Sequence, residues 1–321
     1  MNNISIFFKL LLGATVGLFT HLNVDIQKVP IQSPTAKTIT QLQQFESSFI
    51  YPFSDNEEFV IKHGINGDYF DFFKQLGKPY YYVATAKKNK TVKKTIQGQE
   101  VLVQQQAGEI AAAACCILRT LTNDKGKEVQ AWYICDLKVN QKYQREHLPL
   151  KIIQKVALVR FAQCSRGFAI CMNPATGEPK AASIFKKHGP ITGINTQTLN
   201  LYMLSAQQAR DHREHLQACL IHYGYMGKND QLGCMSTTGA KDYEIINKVT
   251  SHAYPWKLFH LKPNSAHFTI EEDSVYMISA VEGTLLDNDF KSMLGIPSST
   301  AQIVSYGMEN IDFNFLTSNQ I

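Results

Sequence analysis

The chain of 321 residues lacks most of the short patterns that announce a chemistry. Its seven cysteines, at 115, 116, 135, 164, 171, 219 and 234, are odd in number and form no CxxC pair, so no zinc framework or disulfide scaffold is spelled out. There is no GxSxG and no GxxxxGK[ST], which leaves hydrolase and nucleotide-triphosphatase readings without a motif. The "DHREH" run, with His212 and His215, is not HExxH and lacks an identifiable third ligand, so it argues for no metal; it reads as a charged helix face. The charge excess is small, +5, too little to argue for nucleic acid and compatible with anionic ligands. There is no internal repeat and no low-complexity segment.

What is present is a globular composition, 44% apolar and 18% charged, in a chain long enough for two domains. Most cysteines sit in apolar runs such as "AACCIL" and "FAICM", which predicts buried free thiols in a reducing, cytoplasmic compartment. The N-terminus complicates that assignment. "ISIFFKLLLGATVGLFTHLNV", residues 4–24, is apolar for about one bilayer thickness, with Lys9 inside it. A secretory signal, a membrane anchor and a docked N-terminal helix all stay open, and with them export or membrane association.

Along the chain, residues 27–45, with Pro30 and Pro34, read as a linker. "SDNEEFVIKHG" reads as a helix capped by Ser54 or Asp55 and stopped by Gly64, and "GDYFDFFKQLG" as a second short helix. "PYYYVATAKK" reads as a strand. Five lysines fall in Lys87–Lys94, and this run reads as a solvated hairpin extension rather than a patch for an acidic substrate. "GEIAAAACCILRTL" and "VQAWYICDLKV" read as a hairpin across "TNDKGKE". "RGFAICMN" and "TQTLNLYML" are further strands, with a short helix "GEPKAASIFKKHG" between them. From Ser205 the pattern predicts one long helix to Gly224 and then four strands, a separate α+β unit.

The most informative stretch is "DLKVNQKYQREHLPLKII". Leu137 and Val139 alternate with Asp136 and Lys138, which is strand patterning, and Leu150, Ile153, Val156 and Ala157 then recur at helical spacing, a row that Leu158 and Phe161 extend. Between strand and helix lie Gln144 to Pro149. A helix start leaves backbone N–H groups without partners, so such a turn is suited to an anion, and Pro149 fits a first helical turn.

The element order over residues 80–204 resembles the GNAT superfamily of N-acetyltransferases. In that family the turn after the fourth strand reads Gln or Arg, two residues, Gly, any residue, Gly or Ala, and its N–H groups hold the pyrophosphate of acetyl-CoA. The turn here is Gln144-Arg145-Glu146-His147-Leu148-Pro149: Gln144 matches, while His147 and Pro149 replace small residues. A second patch, Glu178, Ala181, Phe185, Lys187, Gly189, resembles the family's fourth helix, with Phe185 where many members carry a tyrosine that protonates the CoA thiolate.

The resemblance implies an α+β fold with a GNAT-like mixed central sheet flanked by helices, over residues 46–204, plus a second, smaller α+β domain at 205–321 after the N-terminal segment and linker of 1–45. It implies an acetyl-CoA-dependent N-acetyltransferase, with acetyl-CoA as cosubstrate, no metal, no nucleic acid, and an amine on a small molecule or peptide as acceptor. Its cofactor site would comprise Leu137, Lys138, Val139, Gln144, Arg145, Glu146, His147, Leu148, Pro149, Asn173 and Phe185, with backbone groups of Leu137 and Val139 facing the pantetheine arm. Asp136, the carboxylate nearest the turn on that strand, is the candidate general base, and Glu109 a weaker one. The rival reading is a GNAT-like module that binds acyl-CoA as a sensor or partner-recognition protein, a secreted effector being one version, with little or no turnover.

Overall fold

The computed structural model describes residues 23–52, 57–64, 68–96, 98–160, 163–173, 193–223, 241–247, 257–260, 270, 272 and 274–320. Residues 4–22 of the apolar N-terminal segment, Ser54 and Asp55, the patch with Phe185, and Cys234 lie outside them. Among the described residues no helix is long and apolar enough to cross a membrane. The chain divides into two compact units, the first formed by 1–45, 79–117 and 134–165, the second by 46–78, 118–133 and 166–321.

In the first unit the strand order is β1 (Val24–Lys28), β4 (Lys78–Ala86), β7 (Ile110–Thr122) and β8 (Glu128–Val139). β7 and β8 each contribute residues to both units. β1 and β4 are antiparallel, with Ile26 opposite Ala84. Ile110 to Ile117 are all buried, so this part of β7 is covered on both faces, and its unbroken apolar run is the signature of a central strand. β5 (Lys90–Ile96) and β6 (Gln99–Gln105) form the expected hairpin, with Lys90 opposite Gln105. A helix, α1 (Ala36–Glu46), occupies most of what the sequence suggested was linker. The Thr35 hydroxyl accepts the Thr38 N–H at 3.1 Å as a cap, and Leu42 and Phe45 are buried. β1 takes the linker's first residues.

The second unit arranges the start of β8, then β9 (Gly167–Met172), β14 (Ser299–Tyr306), β10 (Ile194–Ser205), β13 (Ser274–Val281) and β12 (Lys257–His260). β9, β14, β10 and β13 run antiparallel in succession, and β12 is parallel to β13. A small sheet holds β2 (Ile50–Pro52), β3 (Glu57–His63) and β11 (Lys241–Asn247). β3 overturns the helix expected from Ser54 to Gly64. Its β-branched Val60 lies between Ile50 of β2 and Glu244 of β11, and Ile61 lies opposite Tyr243; this pairing outweighs the local capping signal. Gly64 follows at φ 68, where a Cβ would meet the Tyr69 backbone at 2.6 Å. α2 (Asp71–Leu76) forms as expected and ends at Gly77.

The long helix expected from Ser205 is two helices, α4 (Ala206–Asp211) and α5 (Arg213–Tyr223), broken at His212, whose φ −106 and ψ 14 leave helical geometry. The Ser205 cap is present as a reciprocal capping box with Gln208. α6 (Leu285–Leu294) was not foreseen; Thr284 caps it by accepting the Asp287 N–H at 3.3 Å. Tyr202, Leu204, Leu216, Tyr276, Ile278, Leu286 and Phe290 form this unit's main core. Arg119, 1% exposed, is enclosed by the rings of Tyr133, Phe168 and Phe315 and donates to Gln320 at 2.6 Å. The six described cysteines are free, and Cys115, Cys116, Cys164 and Cys219 are buried. The architecture is α+β, a mixed sheet with helices, and β8 runs through a polar turn into the helix that follows it.

Candidate functional site

The end of β8 keeps its alternation, but with the polar side inward: Leu137 is 42% exposed while Asp136 and Lys138 are buried, at 5% and 6%. Two observations account for this. Asp136 sits in the left-handed region at φ 52, which interrupts the regular strand. Its carboxylate is also fully engaged, accepting the Tyr81 hydroxyl from β4 at 2.5 Å on Oδ2 and the Lys138 ammonium on Oδ1. A buried carboxylate is tolerated only when paired and hydrogen-bonded, and this one is both. Val139 is half-buried, and the Asn140 N–H bonds the Ala111 carbonyl of β7 at 2.9 Å, which fixes where the strand ends.

A single 3-10 turn, Gln141–Tyr143, follows, capped by the Asn140 side chain on the Lys142 N–H at 3.0 Å. Glu109 braces it from the start of β7. Its carboxylate accepts from Lys142 Nζ at 2.7 Å, the Tyr143 hydroxyl at 3.0 Å and the Gln106 N–H at 3.2 Å. Burial alone would raise the Glu109 carboxyl, but the bonds from Lys142, the Gln106 N–H and Tyr143 prevail and hold it below its ordinary value. Burial and Glu109 push the Tyr143 phenol up. These contacts make Glu109 a brace for the turn.

Residues 144–147 are the turn itself, and α3 (Leu148–Arg160) starts directly after it, with Pro149 in its first turn. Arg145 at φ 67 and His147 at φ 56 are left-handed although neither is glycine. Among all described non-glycine residues only these two and Asp136 have positive φ, so all three outliers fall within one stretch of twelve residues. His147 thus adopts a backbone region that glycine enters freely and other residues rarely do. The side chains of Gln144, Arg145 and His147 are exposed, Glu146 is half-buried and Leu148 is buried.

Three carbonyls of the turn have donors, His147 from the Lys151 N–H at 3.2 Å and the other two from lysine side chains. Lys94 of β5 donates to the Gln144 carbonyl at 3.0 Å and to the Glu146 carboxylate at 3.1 Å. Gln105 of β6 donates to the Lys142 carbonyl at 3.0 Å and to the Glu146 carboxylate at 2.7 Å. Lys151 of α3 donates to the Glu146 carbonyl at 2.9 Å. By contrast, among the described residues nothing accepts the backbone N–H groups of Arg145, Glu146, His147 or Leu148. Successive unpaired N–H groups in alternating left-handed geometry, at the start of a 13-residue helix, form a concavity of positive dipole suited to an anion. Lys94, Lys142, Arg145 and Lys151 lie on or against this turn, with Glu146 and Glu109 as the carboxylates beside them.

The structure therefore brings Asp136, Leu137, Lys138 and Val139, and then Gln144 to Pro149, together on one continuous strand–turn–helix segment. Asn173 lies in the other unit, at the end of β9, where its N–H and side-chain amide bond Thr300 at 3.0 and 2.8 Å. Phe185 lies outside the described residues. Five contributors were not foreseen as such: Tyr81, Lys94, Gln105, Lys142 and Lys151. Lys94 was visible in the lysine run, which overturns the purely solvated reading for that residue. Lys151 fell off the expected helix stripe: among the described side chains the buried positions of α3 are Leu148, Lys151, Ile152, Gln154 and Val156, of which only Val156 belongs to the row from Leu150.

No family model matches the chain, and no curated protein does. Similar solved structures exist. Saccharomyces cerevisiae N-myristoyltransferase with bound myristoyl-CoA is 10% identical, with a TM-score of 0.46 over 94% of this chain and 85% of that one. A tandem GNAT protein from the clavulanic acid biosynthesis pathway is 8% identical, with a TM-score of 0.43 over 90% of this chain and 100% of that one. Arabidopsis thaliana NAA60 in complex with acetyl-CoA is 10% identical, with a TM-score of 0.28 over 46% of this chain and 75% of that one. The site described above stands on its own geometry.

Proposed function

We propose that the chain is a CoA-thioester-dependent N-acyltransferase that uses acetyl-CoA as donor and an amine on a small molecule or peptide as acceptor. One observation carries the reading: the turn 144–147, with its left-handed Arg145 and His147 and its run of unpaired N–H groups at the start of α3. A diphosphate fits that donor set, because it presents several anionic oxygens to convergent N–H dipoles and needs no side chain for its primary contacts. His147 supplies the backbone conformation of a glycine, although its side chain occupies space that glycine would leave open. When bound, the thioester supplies an activated acyl carbon. The turn binds and orients the diphosphate, and backbone groups of Leu137 and Val139 guide the pantetheine arm. Asp136, held by Tyr81 and Lys138, takes the proton released when the amine attacks the acyl carbon; the C–S bond breaks, and the sulfur leaves as a CoA thiolate that takes its proton from solvent.

The test is binding first. Acetyl-CoA at 100 times its dissociation constant stabilises the folded chain by about 2.7 kcal/mol in thermal melts. An unchanged melting temperature at millimolar acetyl-CoA would remove the reading. A second reading, an acyl-CoA-binding module with little turnover, is favoured by the full engagement of both Asp136 oxygens and by phenylalanine at position 185. Release of free thiol from acetyl-CoA with an amine panel separates the two: steady release supports the enzyme, and binding without release supports the module.

A further inference from the structure

We propose that Lys151 and Lys94 are positioning residues of the anion turn: from its carbonyl side they hold the two peptide planes whose N–H groups face the anion. The proposal rests on the reading that this turn takes the diphosphate of a CoA ester. A trans peptide is planar, with its C=O and N–H pointing in opposite directions. The Gln144 carbonyl shares a plane with the Arg145 N–H, and the Glu146 carbonyl with the His147 N–H. Lys94 bonds the first carbonyl at 3.0 Å and Lys151 the second at 2.9 Å, so each ammonium turns one N–H toward the opposite side. Both planes adjoin a left-handed residue that is not glycine, a conformation such residues adopt only when their surroundings enforce it.

A second, independent observation is the state of Lys151. It is 5% exposed, yet among the described residues its only acceptor is the Glu146 carbonyl, and no carboxylate pairs with it. A buried ammonium without a counter-ion is costly. Burial accordingly pushes its pKa down, an effect that Glu146 partly offsets. That cost is offset only through the Glu146 carbonyl, so the bond that holds the ammonium also fixes the peptide plane. Lys94 differs, since it also pairs with the Glu146 carboxylate, which Gln105 holds as well. The β5–β6 hairpin thereby fixes the turn from one side and α3 from the other. The proposed division of labour is that backbone N–H groups touch the diphosphate while the two lysines aim them.

Calorimetry on the full chain with CoA and with inorganic pyrophosphate tests this, alongside NMR order parameters of the N–H groups of residues 144–148. Lys94→Met and Lys151→Met weaken both ligands by roughly 10- to 100-fold, the loss expected for a charge-assisted hydrogen bond. In the ligand-free variants, the order parameters at 144–148 fall while the global melting temperature stays near wild type. Lys94→Arg, which can still donate to both acceptors, keeps most of the affinity. Should Lys151→Met fail to fold, Lys94→Met and Gln105→Ala carry the same test. A wild type that binds CoA, with variants that bind equally well and keep the same order parameters, overturns the positioning role and leaves the site reading intact. A wild type that binds neither CoA nor pyrophosphate overturns the site reading, and the positioning role with it.

Discussion

Asp136 carries two demands at once, because it holds a buried ion pair and is proposed to accept a proton. Asp136→Asn keeps the shape but removes the carboxylate charge that pairs with Lys138, 6% exposed, and breaking a buried pair in this way costs about 3–5 kcal/mol. A loss of activity in that variant alone would therefore say little. Asp136→Asn combined with Lys138→Met removes both charges, and the double variant should recover most of the lost stability. If Asp136 is the base, turnover in the double variant stays down by roughly 10²-fold or more while CoA affinity holds. A double variant that is both stable and active assigns Asp136 to structure alone. Glu109 gives a prediction about acid. Its folded-state pKa is depressed, so the unfolded chain binds its proton more tightly. The stabilisation it provides is present above the unfolded value and is lost as pH falls through the folded one. Acid titration of stability should therefore steepen below the ordinary carboxylate range, and Glu109→Gln should flatten that part of the curve. At this scale little was legible in advance. Tyr81 and Asp136 are 55 residues apart, and nothing in either local pattern announces their bond.

At the scale of elements the strand–turn–helix segment was the most legible part of the molecule, because a strand pattern, a polar turn and a proline in the first helical turn are all local signals. The hairpin β5–β6, the central strand β7 and the Ser205 cap were readable for the same reason. The failures share one physical cause. Ser54 and Asp55 precede β3 in the sequence and two glutamates open it, which resembles a helix start, but its pairing with β11 is set by residues far away in sequence. α1 and α6 show the converse: the caps at Thr35 and Thr284 were present locally but were read as linker or passed over. In the turn, the sequence revealed that His147 replaces a small residue but not that it adopts that residue's conformation. At φ 56 a β-branched side chain is strongly disfavoured, so His147→Ile should destabilise the chain by about 1–2 kcal/mol, while His147→Gly should be near neutral. His147→Gly should also bind CoA at least as tightly, since it opens the approach to the N–H groups. Thermal melts rank the three proteins, and a His147→Ile as stable as wild type would show that the turn does not need the left-handed residue.

For the whole molecule, electrostatics decides how the proposed site responds to its medium. The chain carries 32 Lys and Arg against 27 Asp and Glu, an excess too small to gather anions over the entire surface. Attraction of a polyanionic CoA ester must therefore come from the local set of Lys94, Lys142, Arg145 and Lys151. These cations differ in their exposure. Arg145 is exposed and Lys142 is 41% exposed, so salt screens them; the Debye length is about 10 Å at 0.1 M and shrinks further above that. Lys151 is 5% exposed, and the backbone N–H groups form short contacts that salt screens far less. The expected outcome is a moderate dependence, with CoA affinity falling several-fold, not several hundred-fold, between about 50 mM and 500 mM salt. Arg145→Gln should flatten that dependence while costing little affinity at high salt. Calorimetric titrations across that range check both statements. A dissociation constant that does not move with salt would mean that the exposed cations take no part, and a drop of several hundred-fold would mean that surface side chains, rather than the N–H groups of the turn, hold the phosphates.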